Sequence, residues 1–167
     1  MKFTLFSALT SILAVAGLAQ AGGPKPPKPP SLTYLYTVNI TGADAIPVGQ
    51  GPRGFRIVFP ILSGSFAGPR LKGTVLPVGA DWALIDANNP NGTFTVDVRQ
   101  TFKTDDGAVI QVFETGSTQP DGSAHVRLTY ETGDPKYYWM NSIVAVGVLH
   151  GLSPTTLTID TWQLTTP

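Results

Sequence analysis

From Ser31 to the carboxyl end, apolar and polar residues alternate over short runs, and Gly, Pro, Asn and Asp interrupt those runs at close intervals. A two-residue period sends successive side chains to opposite faces of an extended chain, so the pattern calls for strands with one buried face and argues against a helical bundle. Leu32, Tyr34, Tyr36, Val38 and Ile40 fall on one face of a first strand, and Phe55, Ile57, Phe59 and Ile61 on one face of a second. Further strands are expected over 71–76, 82–85, 93–103, 108–115, 123–131, 137–149 and 155–164. Asn91-Gly92, Asp106-Gly107 and Asp121-Gly122 supply the positive-φ residues of tight antiparallel turns, so consecutive strands should be neighbours. About nine strands in one open sheet would leave exposed edges; closure into a single antiparallel β-barrel of the lipocalin kind removes them, and a β-sandwich is the alternative.

The amino end has a different character. Lys2 is followed by the apolar run Phe3 to Leu18 and then by Ala19-Gln20-Ala21, the order of charge, greasy stretch and small-residue site of a secretory signal peptide cleaved after Ala21. The run is shorter than the roughly 20 residues that a spanning helix needs, and no second run of that kind follows, so no membrane is expected after cleavage. Residues 22–31, beginning Gly-Gly-Pro-Lys-Pro-Pro-Lys-Pro-Pro, have too little apolar surface to fold and read as a polyproline spacer, with residues 32–167 as one domain. The chain has no cysteine, so an extracellular domain of this kind must be held by packing and sheet hydrogen bonds without disulfides. Eleven Lys and Arg against eleven Asp and Glu leave no basic field for nucleic acid. Asn39-Ile40-Thr41 and Asn91-Gly92-Thr93 are glycosylation sequons for a secreted eukaryotic chain.

No nucleophile elbow, phosphate-cradling loop or dinucleotide fingerprint occurs, and two histidines without cysteine give no metal-ligand spacing, so neither a cofactor nor a metal is expected. What remains are polar residues that strands can aim together. Asp97, Arg99 and Thr101 share a face opposite Val96 and Val98, and an Asp beside an Arg suits a polar substrate group; an outward ion pair is the plainer reading. Tyr137, Trp139 and Asn141 share a face of the strand over 137–149, giving aromatic walls with one amide that suit a ligand or an ordinary core with one satisfied polar group. His125, Arg127, Thr129 and Glu131 line one face of their strand and suit solvent equally well, while Asp105-Asp106-Gly107 reads as a turn.

The run from Gly64 to Pro77, continuing to Gly79-Ala80-Asp81-Trp82, resembles the hallmark segment of the family of unknown function DUF3237. Asp97-Val98-Arg99, Thr104 to Ala108, and Glu131-Thr132-Gly133 with Tyr137, Trp139 and Asn141 resemble its later segments in the same order, from about Tyr34 to about Leu149. The resemblance implies a small all-β barrel of a kind found in bacteria and fungi, with a small organic molecule as its partner. It also implies that Asp81, Asp97, Arg99, Trp139 and Asn141 share one pocket. Asp97 is then the expected base and Arg99 the group that steadies an enolate, with Asp81, Trp82, Tyr137, Trp139 and Asn141 as ligand-binding residues. The chemistry open to such a set is cofactor-independent proton transfer in isomerisation, dehydration, cyclisation or lyase reactions of a carbonyl or phenolic compound; a non-catalytic carrier or surface module is the competing class.

Overall fold

The computed structural model describes residues 25–86 and 92–166. Ten strands form a single antiparallel sheet: β1 (Ser31–Gly42), β2 (Ile46–Gly51), β3 (Gly54–Ala67), β4 (Lys72–Asp81), β5 (Leu84–Ile85), β6 (Phe94–Thr104), β7 (Val109–Thr118), β8 (Ala124–Glu131), β9 (Ala145–Ser153) and β10 (Thr156–Thr165). Eight of them close a barrel in the order β1-β10-β9-β8-β7-β6-β4-β3, and β3 returns to β1; β2 and β5 are outer additions, β2 on β3 and β5 on β3 and β6. Closure thus removes the edges that the alternating pattern would otherwise expose. Residues 1–24, where the signal peptide and the start of the spacer are expected, lie outside the described residues; residues 25–30 are exposed and outside any strand.

Hairpins follow the turn chemistry. Gly107 takes φ +98° between β6 and β7, and Gly122 takes φ +85° between β7 and β8. Inside, Phe66 and Phe102 stack with ring centroids 4.2 Å apart, and Tyr36 meets both edge-on at 6.0 and 5.5 Å.

The structure corrects two strand expectations. A bulge between Tyr34 and Tyr36 breaks the period of β1, so Leu35 joins Tyr36, Val38 and Ile40 in the core while Leu32 and Tyr34 are exposed. Nor is the stretch from Tyr137 a strand: Tyr138–Ser142 form a 3-10 helix, and β9 starts only at Ala145. Asp134-Pro135 explains this. The Asp134 carboxylate accepts the Lys136 N–H at 2.9 Å and its carbonyl accepts the Tyr137 N–H at 3.1 Å, a local turn that the proline initiates and that winds the chain away from the sheet. Tyr137 and Met140 are buried by it and close one end of the barrel.

Candidate functional site

The opposite end is open. A cavity of about 290 Å³ is lined by Ile40 of β1, Phe59 and Ile61 of β3, Asp81 of β4, Phe94, Val96 and Val98 of β6, Leu149 of β9, and Leu157 and Ile159 of β10, with Ser153 to Thr156 at the rim. Its walls are hydrocarbon, and among the described residues Asp81 is the only ionisable side chain in them. Gly79 makes this placement feasible. The register of β4 against β6 shifts between Val75 and Gly79, and Gly79 adopts φ +121°, where a Cβ would come within 2.0 Å of the Arg99 carbonyl oxygen. Past that irregularity Asp81 pairs with Val98, and Val98 pairs in turn with Glu114 of β7. Directly opposed residues share a sheet face, so Asp81, Val98 and Glu114 form one inward row in which the two acids are two strand spacings, about 10 Å, apart at the backbone.

Burial dominates both acids. It pushes the Asp81 carboxyl up to about 6; the Asp97 N–H, donated to Asp81 Oδ1 at 2.9 Å, opposes the rise, the Asp97 charge adds to it, and Arg56 opposes it. Arg56 itself donates to the Trp82 carbonyl at 2.5 Å. Glu114 is fully buried, and burial lifts its carboxyl to about 8 against a hydrogen bond donated by the Gln100 amide, with the charge of Asp81 raising it further. Between those values Asp81 is a carboxylate and Glu114 a neutral acid, the separation of roles that acid–base sites use. Deeper still, the Tyr36 and Tyr130 hydroxyls bond at 2.9 Å, and burial holds both phenols protonated, well above their usual range.

The residues singled out from sequence do not gather in one pocket. Asp81 lines the cavity. Asp97 and Arg99 point outward from the same wall: they form an ion pair of 2.9 Å with side chains 41% and 51% exposed, and Arg99 lies 5.7 Å from the Trp82 ring on that outer surface. The cause is the two-residue period itself, because Val96 and Val98 take the inward positions. Tyr137, Trp139 and Asn141 sit at the closed end, about 20 Å further along β6. There the Tyr137 hydroxyl donates to Asp106 at 3.0 Å, the Arg70 guanidinium stacks 3.4 Å from the Trp139 ring centroid, and Asn141 bridges both backbone groups of Thr132 at 2.8 and 2.9 Å. The single pocket expected to join Asp97 and Arg99 to Trp139 and Asn141 is therefore not formed. His125, Arg127, Thr129 and Glu131 are exposed on β8, Asn39 is exposed on β1, and Asn91 lies outside the described residues.

Sequence reasoning passed over Glu114 and Gln100. Their signal was phase: Glu114 is in step with Ile110 and Val112, and Gln100 with Val98 and Phe102, so each is a polar residue on an apolar face.

The fold and site define a class, a closed eight-stranded antiparallel barrel that carries a carboxyl group in an apolar cavity at its open end. Within that class the chain belongs to the family described as protein of unknown function DUF3237, whose pattern matches residues 30–128. It is 28% identical over 164 residues to a hydroalkoxylation enzyme of Penicillium herquei, covering 98% of this chain and 99% of that one. It is 30% identical over 131 residues to a UPF0311 protein of Rhodopseudomonas palustris, covering 68% and 84%. Among solved structures, a β-barrel-like protein of Acinetobacter baumannii superposes with a TM-score of 0.76 at 29% identity, over 84% of this chain and 99% of that one. An enzyme of Penicillium herquei superposes with a TM-score of 0.68 at 29% identity, over 84% and 98%.

Proposed function

We propose that this protein is a secreted enzyme that cyclises a small, largely apolar organic compound by adding one of its hydroxyl groups across a carbon–carbon double bond, with Asp81 moving the proton. The observation that carries this reading is the Asp81 carboxyl, raised to about 6 by an otherwise hydrocarbon cavity. Similarity to a hydroalkoxylation enzyme over nearly the whole chain supports the reaction class.

The reaction balances without any redox partner. Ionised Asp81 takes the ligand's O–H proton, and the freed oxygen bonds to one alkene carbon as the π bond opens. The other alkene carbon then takes the proton back from Asp81, so one O–H and one π bond become one C–O and one C–H bond. A double bond conjugated to a carbonyl or an aromatic ring holds the transient negative charge, which fits a phenolic or carbonyl substrate. The cavity walls exclude water and fold the ligand so that its hydroxyl meets its own alkene. Export follows from the leader over residues 1–21, with Asn39 and Asn91 as glycan acceptors.

The test is incubation in deuterium oxide with an ortho-alkenylphenol and an ortho-hydroxychalcone. Wild-type protein should give an isomeric cyclic ether bearing one new C–D bond, and Asp81→Asn should lose roughly two to four orders of magnitude in rate. An Asp81→Asn variant as fast as wild type would remove Asp81 from the reaction. Binding of these compounds with no turnover would favour the carrier reading.

A further inference from the structure

Just below the lining of the cavity, three buried polar atoms lack a well-formed hydrogen bond within the protein among the described residues: Gln100 Oε1, Glu114 Oε2 and Thr161 Oγ1, the last beside the Tyr36 hydroxyl. Gln100, Glu114 and Thr161 are each fully buried, and buried polar groups are rarely left unsatisfied, so each calls for an explanation. They belong to one polar cluster. The Gln100 amide donates to the other oxygen of Glu114, and Thr161 lies two residues along β10 from Ile159, on the same inward face, as Gln100 lies two residues along β6 from Val98. Ile159 and Val98 both line the cavity. Glu114, level with Val98, therefore stands at the depth of the cavity floor.

We propose that Gln100, Glu114 and Thr161 form a polar subsite under the cavity that takes a second, non-reacting hydroxyl of a neutral ligand. This rests on the reading of the cavity as a cyclising site and narrows its substrate to a compound with two hydroxyls on an apolar frame, one at Asp81 and one at the floor. The chemistry of the three atoms selects the group. Gln100 Oε1 only accepts, so the incoming group must donate a proton, which a ketone or an ether cannot do. Glu114 is a neutral acid below about 8, so its free oxygen can donate and the incoming group must also accept. A hydroxyl does both, and Thr161 Oγ1 completes its surroundings. A carboxylate has no proton to give Gln100 Oε1 and loses its solvation there with no cation among the described residues to replace it. Entry requires Val98 and Ile159 to part by side-chain rotation, within reach of ordinary aliphatic motion.

The subsite is tested by equilibrium binding at neutral pH of three probes with a common frame: naphthol, its methyl ether and naphthoic acid. Wild-type protein should bind naphthol at least about tenfold more tightly than either analogue, because each analogue leaves a buried group unpaired. Thr161→Val and Gln100→Met keep side-chain volume and should fold, as checked by melting, and each should shrink that preference. Equal binding of naphthol and its ether by wild type, or a full preference retained in both variants, would overturn the subsite and assign the three atoms to fixed internal water. Asp81→Asn separates the two proposals: it should abolish cyclisation yet keep the naphthol preference. Turnover by wild type with no hydroxyl preference would sink the subsite alone.

Discussion

The Asp97 backbone N–H donates to Asp81 Oδ1 across the wall of the barrel, so the exposed ion pair outside and the buried acid inside are joined through one hydrogen bond of the main chain. Side-chain changes at Asp97 leave that bond in place, and the pair it forms with Arg99 is half exposed. Asp97→Asn and Arg99→Lys should each change stability by no more than about 1 kcal/mol in denaturant titrations. Asp97→Asn should also make Asp81 slightly more acidic, since the Asp97 charge raises the Asp81 carboxyl. A large loss of turnover in Arg99→Lys would return catalysis to the outer wall.

The closed end is a structural plug. Asn141 donates to the Thr132 carbonyl and accepts the Thr132 N–H, holding the 3-10 helix against β8. Asn141→Ala leaves both backbone groups without that partner and should destabilise the fold by about 1–3 kcal/mol, with cavity binding unchanged. Altered affinity for a cavity ligand at unchanged stability would give Asn141 the binding role that the sequence suggested.

The architecture was readable because strand period and Asp-Gly turns are local signals: alternation in β6, β7 and β8 and the turns at Gly107 and Gly122 determine most of the barrel. The bulge at Tyr34 was not readable, since an extra residue leaves no compositional mark and inverts every side chain before it. The site was half readable. Asp81 was reached only through its place in the segment that resembles the family hallmark, and the orientation of Asp97 depends on which face of β6 closes inward, which Val96 and Val98 decide in favour of the core. The two-residue spacing of Tyr137, Trp139 and Asn141 mimics a strand face, but the local hydrogen bonds at Asp134-Pro135 turn the chain into a 3-10 helix instead.

Export has a direct check. If residues 1–21 are the leader, protein recovered from the medium should begin at Gly22, and expression in a eukaryote should add glycan at Asn39 or Asn91. A main product that stays in the cell and retains Met1 would contradict it.

Stability should fall as pH rises. Glu114 moves from an ordinary value of 4.5 to about 8 on folding, so between those values the folded chain holds a proton that the unfolded chain has released. The stabilisation is complete below about 4.5, declines by up to about 1.4 kcal/mol per pH unit across the window, and levels off above about 8. Asp81 adds the same sign between 3.8 and about 6, so the range from 6 to 8 isolates Glu114. Glu114→Gln should flatten the midpoint of urea unfolding across that range; an unchanged slope would mean that another group titrates there.

The same two acids set the expected pH dependence of turnover. Asp81 must be ionised to take the ligand proton, so kcat/KM should rise through about pH 6. Glu114 must stay neutral, because its ionisation would place a charge beneath the cavity floor and oppose the negative charge that develops on the ligand, so the rate should fall through about pH 8. The result is a bell whose limbs belong to different residues. Glu114→Gln keeps a neutral side chain at every pH and should remove the alkaline limb alone, whereas Asp97→Asn should move the acid limb slightly downward. A single alkaline limb that survives in Glu114→Gln would show that the falling rate comes from the ligand's own hydroxyl, and the buried acid would then have no part in turnover.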